Sequence, residues 1–553
     1  MERILLYVHF NKYKRVSNHV FYQLEQLKPL FSKILIISNS YIEEAIKKKL
    51  HDEFGISNVL ERDNQGYDFA AWRDGMSAVG FEELKNYDSL TLMNDTCFGP
   101  LWELEPIYKR FEVDTQVDFW GMTNFRKTKY FEEHLQSYFV TFKQQILRAI
   151  SFQEFWTKVK DFTDVQDVID HYETKFTQYF TEAGFTYQAA FDTRLEEATD
   201  LIHPDFTYYK PFTVLEKKVP FLKVKAISGN PFSARYLLEE IKERTSYPVS
   251  LISEHIFEYI GPDVPCLLQD KQLAKDDKND SPEKPVALHI HVTDFQIFDQ
   301  FKEKWEVLPL QYQFVVTTAD EKIFAQLMET QLLGNVSDRY QVLFGQEENP
   351  MKAMLEQSEL LQQFAFVGHI STAILVDGMP QLDKAMRRDL MEMMFENANA
   401  SIKVLEQDDK LGLVIPDLPS LVRYGLFEQK TYRKEMAAIW QKLHCQKPFD
   451  FEQHPVFTRV YGGFLWFKPS ALTSLFQNDY QLSAQTEPRI LESLLVYLAW
   501  DQDYDFKIMP RTPLPALLDL QREAEQLIQQ KGKLAHKSLA KKVRRYLSNL
   551  FKS

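Results

Sequence analysis

The feature that most constrains this chain is the alternation of short apolar runs and amphipathic segments at its start. Residues 4–10 predict a strand, residues 20–30 a helix with Val20, Leu24, Leu27 and Leu30 on one face, and residues 33–38 a second strand. A helix over 42–50 and a strand near Val59 continue the pattern. Parallel neighbours need a crossover long enough to hold a helix, so this order dictates a mostly parallel, Rossmann-like sheet covered by helices, the α/β fold class.

The alternation delivers the chain to residues 61–100, where polar residues gather. Asp63-Asn64-Gln65-Gly66-Tyr67-Asp68 reads as a turn opening a helix, because Phe69, Ala70, Trp72, Met76 and Val79 share one helical face and Asp68 stands at the N-cap position. Gly66 permits a sharp turn or a close approach to a ligand. Residues 89–93 read as a buried strand, so Asn94-Asp95-Thr96 emerge at its carboxyl end, where open α/β sheets hold their ligands. Two polar clusters therefore meet at one sheet edge.

Composition narrows the remaining classes. A chain of 553 residues with 44% apolar content has room for roughly two to four domains. Cys97, Cys266 and Cys445 are too scattered for a disulfide framework or structural zinc, which fits a reducing cytoplasm. No apolar run has the length of a signal-peptide core or a membrane span, so the chain is expected neither to enter nor to cross a membrane. The net charge of −14 argues against general nucleic-acid binding. Residues 531–553, however, hold eight Lys and Arg and no acid, so a local contact with a negative surface is expected there.

Residues 269–285, rich in Asp, Lys and Ser, predict a linker, and the chain beyond it repeats the pattern of the chain before it. Residues 287–292, 313–318, 342–344 and 364–368 match the first four strands in order and spacing. The loops differ: Gln346-Glu347-Glu348-Asn349-Pro350 stands opposite Asn64-Gln65-Gly66-Tyr67-Asp68, and His369-Ile370-Ser371 opposite Asn94-Asp95-Thr96. Residues 220–227 and 462–467 read as further strands, one in each half. The predicted organisation is a catalytic domain over 1–268, the linker, a second, degenerate domain over 286–515, and a basic amphipathic helix over 516–553.

The same residues carry a resemblance. Asn64-Gln65-Gly66-Tyr67-Asp68-Phe69 with Trp72, then Leu92-Met93-Asn94-Asp95-Thr96 with Phe98-Gly99-Pro100, are similar to blocks of the rhamnan synthesis protein F family of bacterial glycosyltransferases. His134-Leu135-Gln136-Ser137-Tyr138-Phe139, Glu173 with Gly184-Phe185, Pro220-Phe221-Leu222-Lys223-Val224-Lys225 and Gly462-Gly463-Phe464-Leu465-Trp466-Phe467 extend it over nearly the whole chain. The resemblance implies a GT-A-like fold and transfer of L-rhamnose from dTDP-rhamnose to a growing, lipid-linked cell-wall polysaccharide. That acceptor places the protein on the inner face of the cell membrane.

A nucleotide-sugar transferase must hold a diphosphate, pin a sugar and deprotonate an acceptor hydroxyl. Backbone N–H groups at Gly66 and the helix start, together with Arg73, are candidates for the phosphates. Asp63, Asn64, Trp72, Asn94 and Thr96 complete the expected donor site. Asp95 is the expected ligand if Mg²⁺ or Mn²⁺ takes part, held by one carboxylate plus substrate phosphates, because its neighbours are not acids. An inverting transfer needs one proton acceptor, and the nominees are Asp68, Asp95, His134 and Glu173.

Each nominee has a plainer reading. Asp68 is also a natural helix cap, Asn94-Asp95 a natural Asx turn, His134 an ordinary hydrogen-bonded histidine and Glu173 a solvated helix charge. Two function classes stay open: a glycosyltransferase, or a non-catalytic carbohydrate-binding or scaffold protein of a polysaccharide assembly complex. In the tail, Leu539, Val543, Leu547, Leu550 and Phe551 recur at helical spacing among basic residues. This is the pattern of an interfacial helix and predicts peripheral attachment to an anionic membrane, the alternative being a solvated helix packed on its own acidic body.

Overall fold

Strand β1, Arg3–His9, is buried along its whole length, and its alternating side chains feed two cores. Ile4, Leu6 and Val8 join one with Phe69, Trp72 and Met76; Leu5 and Tyr7 join the other with Val20, Leu24 and Leu27 of helix α1, Asn18–Leu27. Helices on both faces explain why the strand reads as a continuous apolar run rather than an alternating one. Helix α2 spans Glu44–Phe54 and helix α3 Tyr67–Val79.

These elements come from a computed structural model that describes residues 1–128, 131–197, 205–274, 281–333, 337–417, 429–452, 454, 457–477 and 488–511. The predicted C-terminal helix lies outside the described residues. The chain divides into two compact units that meet in sequence between Leu267 and Leu268.

In the first unit the strands after β1 are β2 (Lys33–Ser38), β3 (Val59–Glu61), β4 (Ser89–Asn94), β5 (Cys97–Phe98), β6 (Phe119–Phe125), β7 (His134–Leu135), β8 (Phe139–Lys143), β9 (Tyr187–Phe191) and β10 (Leu222–Lys223). The main sheet has the order β3-β2-β1-β4-β8-β6-β7, with β9 also on β6. Strands β1 to β4 are mutually parallel, β8 is inserted antiparallel between β4 and β6, and β9 runs parallel to β6. This is the Rossmann-like, parallel-dominated α/β sheet that the strand–helix alternation requires. Its order reverses between β1 and β4, and a crevice opens there at the carboxyl ends.

The second unit repeats the plan. Its strands are β11 (Val286–His291), β12 (Tyr312–Thr318), β13 (Tyr340–Phe344), β14 (Phe366–Ser371), β15 (Leu411–Pro416), β16 (Leu465–Phe467) and β17 (Asp505–Met509), in the order β13-β12-β11-β14-β16-β15-β17. Once β7 is set aside, order and strand directions match those of the first unit. The register also matches in detail: His9 faces Ser38 and bonds its hydroxyl at 3.0 Å, as His291 does Thr317 at 3.0 Å.

Register corrects one sequence correspondence. Val8 faces Asn94 and Ile290 faces Ile370, so the counterpart of Asn94-Asp95-Thr96 is Ile370-Ser371-Thr372, not His369-Ile370-Ser371. Strand β14 continues through the polar but fully buried His369, where sequence polarity suggests an end.

Two further expectations shift. Residues 220–227 give only the short β10, because its partner β5 is two residues long; the Val224 N–H then bonds Thr96 O and the chain turns into the helix Val224–Ser228. Residues 269–273 of the expected linker instead form a 3₁₀ turn, a bridge from Gln272 to Ile508, and a buried Leu273. Among the described residues, no helix is long and apolar enough to cross a membrane.

Candidate active site

The turn before α3 is shaped from behind. At the end of β3, Arg62 donates to Gln65 O at 2.7 Å, to Asn39 Oδ1 at 2.8 Å and to Asp74 at 2.8 Å. Gly66 caps α3 at φ +68°, and a Cβ there would lie 2.4 Å from the Ala70 Cβ, so the closeness this glycine permits is to its own helix. Its N–H is taken by Phe162 O at 2.7 Å and is not presented to an anion.

Three sequence expectations fall here. Asp68 is not the N-cap; it lies in the first turn of α3, one residue inside it. Arg73 is closed to a phosphate by Asp74, by Asp161 at 3.0 Å and by Val159 O at 2.7 Å. Trp72 is buried in the core, edge-on to Phe69, with its indole N–H unpartnered. Asp63 and Asn64 remain on the turn, and their side chains make no hydrogen bond among the described residues.

Freed from capping, Asp68 turns to the end of β4. Asn94 Nδ2 donates to Asp68 Oδ2 at 2.8 Å, while Asn94 Oδ1 accepts from the Thr96 hydroxyl at 2.6 Å and more weakly from its N–H. The Asx turn is therefore present and itself holds Asp68. Asp95 reaches across the crevice between β4 and β1, where Oδ2 accepts the Phe10 N–H at 3.0 Å. Burial raises the Asp95 pKa to about 7, opposed by that N–H and helped by the charge of Asp68. Burial likewise raises Asp68 to about 6, opposed by Asn94 and helped by Glu173.

Glu173 closes the same cluster. It ends a π-helical turn, Ile169–Glu173, a local widening common at functional sites, and accepts from Ser137 N at 3.2 Å and Ser137 Oγ at 2.9 Å. His134, stacked on Phe125, is buried; burial lowers its pKa, while Glu173 pulls upward and Lys223 downward. Because Glu132 O can only accept, the contact at 2.9 Å puts the proton on Nδ1 and leaves Nε2 as the basic nitrogen.

The structure thus brings together Asp68, Asn94, Asp95, His134 and Glu173. It adds two residues that sequence reasoning does not single out, Lys223 and Asp205, whose side chains meet at 3.4 Å. Lys223 belongs to one of the blocks that carry the resemblance, whereas Asp205 leaves no local signal.

The expected Mg²⁺ or Mn²⁺ would draw one protein carboxylate, Asp95, and the substrate phosphates. Among the described residues no three His, Cys, Asp or Glu side chains converge on one point, and Asp95 Oδ2, Asp68 Oδ2 and Asn94 Oδ1 each already accept a hydrogen bond. These residues do not build a three-ligand metal centre of their own; Asp95 would supply one carboxylate to a divalent ion completed by substrate phosphates.

A family model described as rhamnan synthesis protein F matches residues 34–504. The chain belongs to that family. Among curated proteins, uncharacterized protein y4gN of Sinorhizobium fredii is 30% identical over 167 residues, which are 30% of this chain and 43% of its own. Virulence protein VirA of Vibrio anguillarum is 30% identical over 128 residues, 23% of this chain and 39% of its own. The chain therefore spans less than half the length of the curated relatives it matches.

Among solved structures, the glycosyltransferase GlyE of Streptococcus pneumoniae aligns over 70% of this chain and 99% of its own at 12% identity and a TM-score of 0.27. The mannosyltransferase PcManGT of Pyrobaculum calidifontis, in complex with GDP-Man and Mn²⁺, aligns over 52% and 66% at 10% identity and a TM-score of 0.25. At such scores the fold rests on the strand order alone.

Proposed function

We propose that the protein is an inverting glycosyltransferase that moves L-rhamnose from dTDP-rhamnose to a lipid-linked, rhamnose-containing cell-wall polysaccharide. Family membership supports a role in polysaccharide synthesis. The observation that carries the reading is the carboxyl pair at the sheet's switch point, with Asp95 raised to about 7 and Asp68 to about 6. In the proposed step the acceptor hydroxyl attacks the anomeric carbon, the nucleoside diphosphate departs, and the hydroxyl proton passes to Asp95. A base with a pKa near the working pH serves this role best. Burial holds that pKa high, and the charge of Asp68, fixed by Asn94, adds to it. His134, with Nε2 open, is the second candidate base, and a pH–rate profile altered by only one of the two substitutions decides between them.

The second unit lacks this pair. Ser371 stands in the position of Asp95, so we assign it a positioning role rather than a second transfer site. The basic residues of 531–553 are proposed to hold the enzyme peripherally against anionic lipid, where each contributes on the order of 1 kcal/mol. Sedimentation with anionic vesicles tests this, since deleting 531–553 should release the protein.

The deciding assay is mass analysis of products from a lipid-linked acceptor and a panel of dTDP and UDP sugars. Asp95→Asn should cut turnover by about 10² or more at saturating donor. Undiminished turnover would remove Asp95 from the role. A wild-type protein that neither makes product nor is thermally stabilised by any nucleotide would favour the scaffold class instead.

A further inference from the structure

The donor of such a reaction carries two negative charges into a site that already holds Asp68, Asp95 and Glu173. Something positive must receive the diphosphate, and the two arginines of the α3 turn are closed to it: Arg62 and Arg73 are both tied to Asp74 and Asp161. Among the described residues, Lys223 and Lys175 both act on His134 of the cluster, and Lys223 is also tied through its backbone to the segment that follows Asp95.

Lys223 lies on β10, whose two-residue ladder with β5 pairs Lys223 with Cys97 and Leu222 with Phe98. The next residue is fastened by the Val224 N–H to Thr96 O at 2.9 Å. Lys223 is therefore held, backbone to backbone, against the residues that directly follow Asp95. Its ammonium group sits 3.4 Å from Asp205 Oδ2 and 5.9 Å from the centre of the Tyr138 ring. Asp205 is a firm anchor: although burial opposes it, Lys223, Thr207 and Gln136 hold its carboxyl below the usual range.

The side chain is about one-fifth exposed, so it is desolvated enough to act strongly and open enough to be reached. An ammonium has three donors, and Asp205 accounts for one of them. Its charge is felt at His134 and at Cys97, lowering the pKa of each.

We infer that Lys223, steadied by Asp205, is the cation that binds the diphosphate of the nucleotide-sugar donor and stabilises it as it leaves; this rests on the glycosyltransferase reading. A lysine acts there as a point charge with rotatable donors, matching a leaving group whose charge grows as the glycosidic bond breaks.

The test is calorimetric titration of the full chain with dTDP, UDP and GDP and with the corresponding nucleosides. Lys223→Met should weaken binding of the preferred diphosphate about tenfold or more while leaving nucleoside binding unchanged, because only the phosphate contact is lost. Lys223→Arg should restore most of the affinity. Lys225→Met, an exposed neighbour, should match the wild type and so exclude a general charge effect. If Lys223→Met melts early, the comparison of Lys223→Arg with Lys223→Gln decides in its place. Equal diphosphate affinity in wild type and Lys223→Met overturns this assignment alone. A wild-type protein that binds none of the three diphosphates overturns the donor reading and the assignment with it.

Discussion

Replacing Asp95 by Asn should make the protein more stable at neutral pH while it loses activity. In the unfolded chain an Asp loses its proton near pH 4, whereas burial beside Asp68 holds the folded-state pKa at about 7. Between those values the folded state binds more protons than the unfolded one, so its stability falls as pH rises, and the whole penalty is present above about pH 7. A shift from 3.8 to about 7 corresponds to a ceiling of about 4 kcal/mol. Asp95 keeps partial solvent access, which screens the penalty, so about 1–2 kcal/mol is expected. Asn preserves the acceptor for the Phe10 N–H and removes the charge. Thermal unfolding of both proteins from pH 5 to pH 8 at low salt reads the difference for the Asp95–Asp68 pair, because the two charges interact. The substitution should gain a few degrees over that interval, at about 2–4 °C per kcal/mol for a unit of this size. Parallel curves for the two proteins would refute the buried, charge-burdened carboxylate.

Arg73→Ala should cost about 1–3 kcal/mol of stability by unpairing Val159 O and leaving Asp161 to Arg62 alone, yet leave nucleotide affinity unchanged; thermal melts beside a dTDP titration separate the two effects. Gly66→Ala should cost more than about 1 kcal/mol, because φ is +68° and the new Cβ meets Ala70, and a chemical melt without a clear midpoint shift would contradict this. His369→Ala should destabilise the second unit by about 2–4 kcal/mol, since it leaves a cavity and unpairs the Nδ1 of His289, which lies 2.8 Å from that of His369. Donor hydrolysis at temperatures where both units stay folded should be unaffected by it.

Much of the fold is legible in the sequence, for identifiable reasons. Strand β2 can be read to the residue and β4 to within one, because buried parallel strands write themselves as apolar runs between helical patterns. Asn94 and Asp95 can be placed because a strand's carboxyl end follows from the strand. Hidden from the sequence is whatever depends on the other end of a contact. Asp68 looks like a cap until Asn94 is seen to claim it, and Arg73 looks like a phosphate ligand until Asp161, 88 positions away in sequence, is seen to claim that. Lys223 reaches the site because β10 returns to β5, a pairing of two residues with no periodicity to betray it, and Asp205 is brought there by Gln136 and Thr207.

The two units, built on one strand order, give this single chain a built-in reference. Where paired positions keep the same contact, as with His9 on Ser38 and His291 on Thr317, the scaffold itself demands it. Where they part company, as Asp95 does from Ser371, the scaffold is indifferent and some other requirement chose the residue. Grafting therefore becomes a rational experiment: carboxylates moved into the positions of Ser371 and its partner helix would land on a frame that already tolerates either choice. Any transfer they conferred would be owed to chemistry alone, with the architecture held constant inside one molecule.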